Sequence, residues 1–114
     1  EEALSAWRKM TEEYGDDANT WIVCGNEMAK RCRYDEAIEC FKKYNELSPK
    51  PHFVDAYECM AQIYEIKGDY KNAIDCYESM IRLLKDEWNE TTGEAVDAPQ
   101  RNIARLRKKL AKKQ

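Results

Sequence analysis

The sequence predicts an all-α fold, a short α-solenoid in which helix-turn-helix units stack on one another. The segment Tyr34–Phe41 (YDEAIECF) returns 36 residues later as Tyr70–Tyr77 (YKNAIDCY), and a repeat of this period is typical of stacked helical units. Small and apolar residues recur one helical turn apart, as at Trp21, Gly25 and Met28. Glycine and proline are few and β-branched runs are absent, so the composition favours helices over strands.

The first predicted helix, residues 1–14, lies in a partial unit at residues 1–16. An offset of 34 residues aligns Trp7 with Phe41, so this helix is the second of a unit whose first helix is missing. Because the chain starts at Glu1 within a unit, we expect it to be a piece of a longer protein. An apolar edge is then open to an upstream unit or to a second copy, which predicts a monomer or a weak homodimer. That edge consists of Leu4, Trp7 and Met10.

Two complete units follow at residues 18–51 and 54–87. Their predicted helices span residues 18–31, 34–47, 54–67 and 70–86. Gly25 and its counterpart Ala61 are small where paired helices must approach closely, because a larger side chain would push the helices apart. Gly68 marks the end of one helix, and the residue after it is an N-cap candidate for the next.

A link at residues 88–97 leads to a C-terminal capping helix at 98–114. Asp97 as N-cap and Pro99 in the first turn predict where this helix starts. Its apolar face, which would seal the end of the stack, consists of Ile103, Leu106 and Leu110. The opposite face is a basic stripe of Arg101, Arg105, Lys108 and Lys112. The stripe is either solvated surface or a patch that binds phosphate or an acidic partner. In the link, Trp88 either folds back over the last helix pair or is an exposed contact residue.

The repeated residues resemble the tetratricopeptide repeat, in which each unit is a pair of antiparallel helices. The resemblance covers roughly residues 1–87 and is most specific in the first complete unit. There the family's pattern is met by Trp21, Gly25, Tyr34, Ala37, Phe41, Leu47 and Pro49. Cys32 departs from the pattern by standing where a turn glycine is usual. The resemblance implies a right-handed solenoid and a non-catalytic module that binds a peptide or protein segment in a concave groove.

In proteins with this repeat, the first helix of each unit lines the groove. Helical spacing then gives the exposed face of the first unit as Asn19, Ile22, Asn26 and Lys30. The second unit presents Asp55, Glu58, Gln62 and Glu65 at corresponding places. Asn and Gln amides both donate and accept hydrogen bonds, which suits an extended peptide backbone, and the two glutamates favour Lys or Arg in that peptide. An ordinary solvated face accounts for the same residues equally well.

Charge and composition argue against other classes of function. Residues 98–114 contain seven Lys or Arg and no acid, whereas residues 1–97 contain 12 basic and 22 acidic side chains. The acidic body would repel a nucleic-acid backbone, so the sequence disfavours nucleic acid as a partner. The chain has no glycine-rich phosphate loop, and no motif pairs its one histidine, His52, with a nucleophile, so we predict no enzyme.

Cysteine usage predicts neither a metal site nor a cofactor. The five cysteines show no CxxC spacing and only one histidine accompanies them, which favours reduced thiols in a cytoplasmic protein. No stretch approaches the ~20 apolar residues of a membrane span. Besides peptide binding, two hypotheses stay open: self-association, and a regulatory domain of a larger, for instance bacterial, protein.

Overall fold

Six α-helices form the protein in the computed structural model, which describes the backbone of residues 2–113 and the side chains of residues 5–112. The helices are α1 (Glu2–Glu13), α2 (Ala18–Lys30), α3 (Tyr34–Leu47), α4 (Asp55–Ile66), α5 (Tyr70–Trp88) and α6 (Glu94–Lys113). No strand occurs in this described part of the chain. The prediction of an all-α helical repeat fold is confirmed. None of the described helices is long and apolar enough to cross a membrane.

Contacts group the helices into two compact units, residues 1–49 and residues 50–114. In the first unit α2 packs on α3 and also contacts α1. In the second unit α5 packs on both α4 and α6. Each complete predicted helix pair, α2 with α3 and α4 with α5, is therefore present as a packed pair. The organisation of the whole chain as a single domain stays a prediction.

The α2–α3 pair approaches closely at Gly25. A Cβ atom added to Gly25 would lie 2.8 Å from Cε1 of Phe41, whose ring is fully buried at 0 % exposure. The corresponding residue of α4, Ala61, is also fully buried, as are Ala37 and Ala73 on the facing helices. Small side chains thus let the paired helices come together, as the sequence predicts.

The turn inside each helix pair contains one residue in the left-handed region. In the first unit this residue is Cys32, with φ at 59°, and in the second it is Gly68, with φ at 77°. The following helix of the second unit starts where predicted, because the Asp69 side chain accepts a hydrogen bond from the backbone N–H of Asn72. The two turns thus share one backbone geometry with different residues at its critical position.

The last helix starts four residues earlier than predicted. The carbonyl of Gly93, which has a φ of 101°, accepts from the backbone N–H groups of Val96 and Asp97 at 3.1 and 2.9 Å. The added turn buries Val96 to 2 % exposure, which stabilises it through the hydrophobic effect. Asp97 is therefore not the N-cap, and Pro99 lies inside α6, where its missing N–H leaves the carbonyl of Ala95 without its helical partner.

The fifth helix is longer than predicted and ends at Trp88. Asn89 adopts the left-handed conformation, with φ at 54°, and its N–H and that of Glu90 both donate to the carbonyl of Leu84. This arrangement satisfies a carbonyl at the helix end, a common way for helices to terminate. The link between α5 and α6 is therefore shorter at both ends than the predicted 88–97.

Candidate functional site

One face of α2 carries the first set of predicted binding residues. Asn19, Asn26 and Lys30 are exposed on it, and Ile22 is half-buried. Among the described side chains, the amides of Asn19 and Asn26 form no hydrogen bond, whereas Lys30 Nζ lies 3.4 Å from Oε1 of Glu27. The face therefore offers two amides that can both donate and accept hydrogen bonds with a partner.

The corresponding face of α4 is acidic. Asp55, Glu58 and Gln62 are exposed, and none of the three forms a hydrogen bond or ion pair with another described side chain. They lie at helical spacing along one side of α4, three and four residues apart. Two free carboxylates with an amide beside them form a surface that favours a positively charged segment.

Glu65, the fourth residue predicted for this face, is engaged within the chain. The buried hydroxyl of Tyr77 donates to Glu65 Oε2 at 2.7 Å, and Arg105 Nη2 donates to Oε1 at 2.8 Å. Burial and the neighbouring carboxylate both raise the pKa of the Tyr77 hydroxyl, so it stays a donor. Both carboxylate oxygens are occupied and the Glu65 side chain is only 20 % exposed, so it contributes little to the free acidic surface.

The basic stripe of α6 is partly neutralised by acids of the same unit. Arg101 forms an ion pair with Glu94 at the start of α6, and Arg105 is engaged on α4. Lys108 and Lys112 are exposed and pair with no acid among residues 5–112. The four predicted cations therefore do not act as one free patch. On the other face of α6, the apolar residues contact the body of the unit: Ile103 and Leu106 are buried and Leu110 is half-buried.

The predicted self-association edge borders a cleft in the first unit. Trp7 and Met10 are half-buried, whereas the side chain of Leu4 lies outside the described ones. Trp7 lines a cleft of about 310 Å³ together with Trp21 and Met28. The rim of the cleft is largely acidic and includes Asp35, Glu36 and Glu39. The edge thus combines an apolar floor with negative charge.

A cluster around His52 has no counterpart among the predicted sites. Oε1 of Glu87 lies 2.8 Å from both the backbone nitrogen and Nδ1 of His52, and the indole N–H of Trp88 donates to the His52 carbonyl at 2.6 Å. The hydrogen bonds from the backbone and ring of His52 lower the pKa of Glu87. Phe53 packs beside Trp88, with 5.7 Å between ring centroids. Trp88 thus folds back onto the loop before α4, one of the two roles left open for it.

The sequence offers only one signal for this cluster. His52 lies 35 residues from Glu87 and 36 from Trp88, which is about one repeat period, so the loop before this unit meets the C-terminal end of its second helix, α5. The contact ties the end of α5 to the start of the same unit. The polar groups of His52, Glu87 and Trp88 form hydrogen bonds with one another, which points to a structural role for this cluster.

Thiol chemistry and metal binding find little support in the geometry. Burial raises the pKa of the Cys24 and Cys59 thiols and raises that of Cys40 to about 11, which opposes formation of the reactive thiolate. All five cysteines are free thiols. Across the described side chains, no group of three or more His, Cys, Asp or Glu residues could hold a metal ion.

Comparison with known proteins agrees with this geometry. Residues 33–51 and 54–83 match a family model described as tetratricopeptide repeat. These two segments of the chain are similar to the tetratricopeptide repeat family. Repeats of this family generally mediate interactions between proteins, and the matched segments contain α3, α4 and most of α5.

A longer relative shares part of this sequence. Protein bimA of Emericella nidulans is 29 % identical over 73 residues, a region that covers 64 % of this chain. The same region covers 9 % of bimA, so the chain corresponds to a small part of that protein.

Proposed function

We propose that this chain is a non-catalytic module that binds an extended segment of a partner protein through the first helices of its two complete units, α2 and α4. The observation that carries the proposal is the set of exposed polar side chains on these helices that find no partner among the described residues. Amides supply this set on α2, and two carboxylates with an amide supply it on α4. Binding through such groups costs little free energy, because no hydrogen bond within the chain has to break first.

The charge of the α4 face selects the kind of segment. Asp55 and Glu58 attract Lys or Arg and repel acidic tails, while Gln62 can bond a peptide backbone in either direction. Because Arg105 engages Glu65, the side chains of α4 that we propose to contact the partner are Asp55, Glu58 and Gln62. The partner segment is therefore an extended peptide with at least one basic side chain.

Selection from a library of random peptides tests the proposal directly. The wild-type chain is expected to enrich peptides with Lys or Arg, and a variant of its first-helix faces is expected to lose them. The variant carries three exposed substitutions: Asn26→Ala, Glu58→Arg and Gln62→Ala. Far-UV circular dichroism should show that this variant keeps its helix content.

A matched control changes the same charge and the same number of side chains elsewhere. It carries Asp75→Arg, Thr91→Ala and Thr92→Ala, all at exposed positions outside the two first helices. The control should enrich the same peptides as the wild type. If the first-helix variant also retains them, or if the enriched peptides carry no basic residue, the proposed site is wrong.

The cleft beside Trp7 favours one further candidate, association of two copies. Trp7 and Trp21 line an apolar floor in the first unit, and burial of aromatic surface is a strong driving force for association. Light scattering at tens of micromolar chain is the test. A dimer mass that returns to the monomer in Trp7→Ser supports the candidate, and a monomer mass for the wild type removes it.

A further inference from the structure

A second cleft, of about 480 Å³, lies between α5 and α6 and contains none of the residues proposed above for peptide binding. Its floor is apolar and consists of Ile81, Ile103 and Ala104. Three cations stand along its rims, Arg82 and Lys85 on α5 and Arg107 on α6. The cleft therefore combines an apolar centre with positively charged edges.

Little of this positive charge is neutralised inside the chain. Arg107 is paired with Glu78, at 3.5 Å and with both side chains well exposed, which makes it a weak surface ion pair. Arg82 and Lys85 are exposed and have no acidic partner among the described side chains. In a chain with a net charge of −3, these residues form a local excess of positive charge.

The spacing of the lining residues indicates the shape of the occupant. On α5 they span Glu78 to Lys85, and on α6 they span Gln100 to Arg107, and on both helices they follow the spacing i, i+3, i+4 and i+7. Each wall is thus one face of a helix, two turns long, and a third helix can pack in the groove between them. An extended peptide, whose side chains alternate between two sides, would match such a groove less well.

We propose that the α5–α6 cleft docks an amphipathic helix of a partner protein whose apolar stripe is flanked by glutamate or aspartate. The stripe packs on Ile81, Ile103 and Ala104, and the acids face Arg82 and Lys85. Apolar contact provides the affinity, and the cationic rims select acidic helices over basic ones. This partner is opposite in charge to the basic segment proposed for α4, so the two sites are separable by experiment.

Fluorescence anisotropy with a synthetic helix tests the proposal on the full chain. The probe is a fluorescein-labelled amphipathic peptide of leucine, alanine and glutamate, and its counterpart carries lysine in place of glutamate. The glutamate peptide is expected to bind saturably, and the lysine peptide is expected to bind at least about tenfold more weakly, a difference of ~1.4 kcal/mol. The double charge reversal Arg82→Glu with Lys85→Glu should weaken binding of the glutamate peptide about tenfold and bring the two peptides closer in affinity.

A matched pair of substitutions on α6 locates the site. Ala104→Glu places a charged side chain on the cleft floor at an exposed position, and Ala111→Glu makes the same change at an exposed position outside the lining. Only Ala104→Glu is expected to abolish binding, while both variants keep the same helix content.

Four results would overturn the proposal. The first is no saturable binding of the glutamate peptide up to about 1 mM, a concentration that corresponds to a binding free energy of only ~4 kcal/mol. The second is equal affinity for the lysine peptide. The third is equal loss of binding in both α6 variants, and the fourth is unchanged binding in Ala104→Glu. A dimer that dissociates in Ala104→Glu would assign the cleft to a second copy of the chain and would also count against a partner helix.

Discussion

Replacement of Cys32 by glycine is expected to stabilise the protein. Cys32 has a φ of 59°, and a residue with a Cβ atom in this left-handed region costs roughly 1–2 kcal/mol relative to the right-handed one. Glycine avoids this cost but loses about 0.5–1 kcal/mol more conformational entropy on folding. The difference predicts a net gain of about 0.5–1 kcal/mol in the free energy of unfolding. The loss of the thiol offsets little of this gain, because the hydrogen bond that it accepts from the Tyr34 hydroxyl, at 3.5 Å, is exposed and weak.

Two companion variants separate the backbone effect from the loss of sulfur. Cys32→Ala removes the thiol and keeps the left-handed cost, so its stability should stay close to that of the wild type. Gly68→Ala introduces the same cost at the equivalent turn of the second unit, where φ is 77°, and should lower stability by about 1 kcal/mol. The three variants thus form a series in which only the residue at the left-handed position matters.

Urea denaturation followed by far-UV circular dichroism, under reducing conditions, measures the series. With a slope of about 1–3 kcal/mol per molar urea, the Cys32→Gly midpoint should rise by roughly 0.2–1 M without a change of slope. A midpoint equal to or below that of the wild type would show that the turn is not strained by Cys32 and would refute the reasoning. A rise of equal size in Cys32→Ala would assign the effect to the thiol instead.

Three other perturbations follow from the packing and the titrating groups. Gly25→Ala places a methyl 2.8 Å from the buried ring of Phe41, so overpacking of ~1–3 kcal/mol should exceed the ~1 kcal/mol gained in helix propensity and lower the urea midpoint. Burial raises the pKa of the Cys40 thiol from 9.0 to about 11, so this thiol ionises at lower pH in the unfolded chain than in the folded one. The free energy of unfolding should therefore fall as pH rises from 9 to 11, and it should fall less steeply in Cys40→Ala. Hydrogen bonds from His52 lower the pKa of Glu87, so stability should fall as pH drops below the ordinary glutamate pKa of 4.5, and acid titration of Glu87→Gln should show a smaller loss.

Local periodicity was sufficient to predict the helices whose packing follows the repeat. The bounds of α2 and α3 agree with the sequence prediction to within one residue, because the apolar faces that define them are also the faces they bury. The start of α6 was misplaced because Asp97 and Pro99 form a plausible local start signal, whereas the burial of Val96 depends on a contact with the rest of the unit. Start signals of this kind act over one turn of helix, and tertiary burial can override them.

The candidate site shows the same division between local and distant causes. Helical spacing correctly places Asn26, Glu58 and Gln62 at exposed positions, since exposure on a helix follows from the direction of its buried face. It could not indicate that Glu65 is held by Tyr77 and Arg105, because the arginine lies 40 residues away in sequence. A list of exposed acids drawn from the sequence therefore overstates the charge that α4 presents.

Ion pairing within the second unit separates two surfaces of opposite charge. Arg105 neutralises Glu65 at one end of the acidic row on α4, which leaves Glu58 as a free carboxylate there. On the cleft between α5 and α6, Arg107 is only loosely paired and Arg82 is free among the described residues, so that surface stays positive. A basic extended peptide and an acidic helix would then bind the same unit without competing for the same groups. Glu58→Arg should impair only the first of these ligands and Ala104→Glu only the second, and a variant that impaired both would indicate a single shared site.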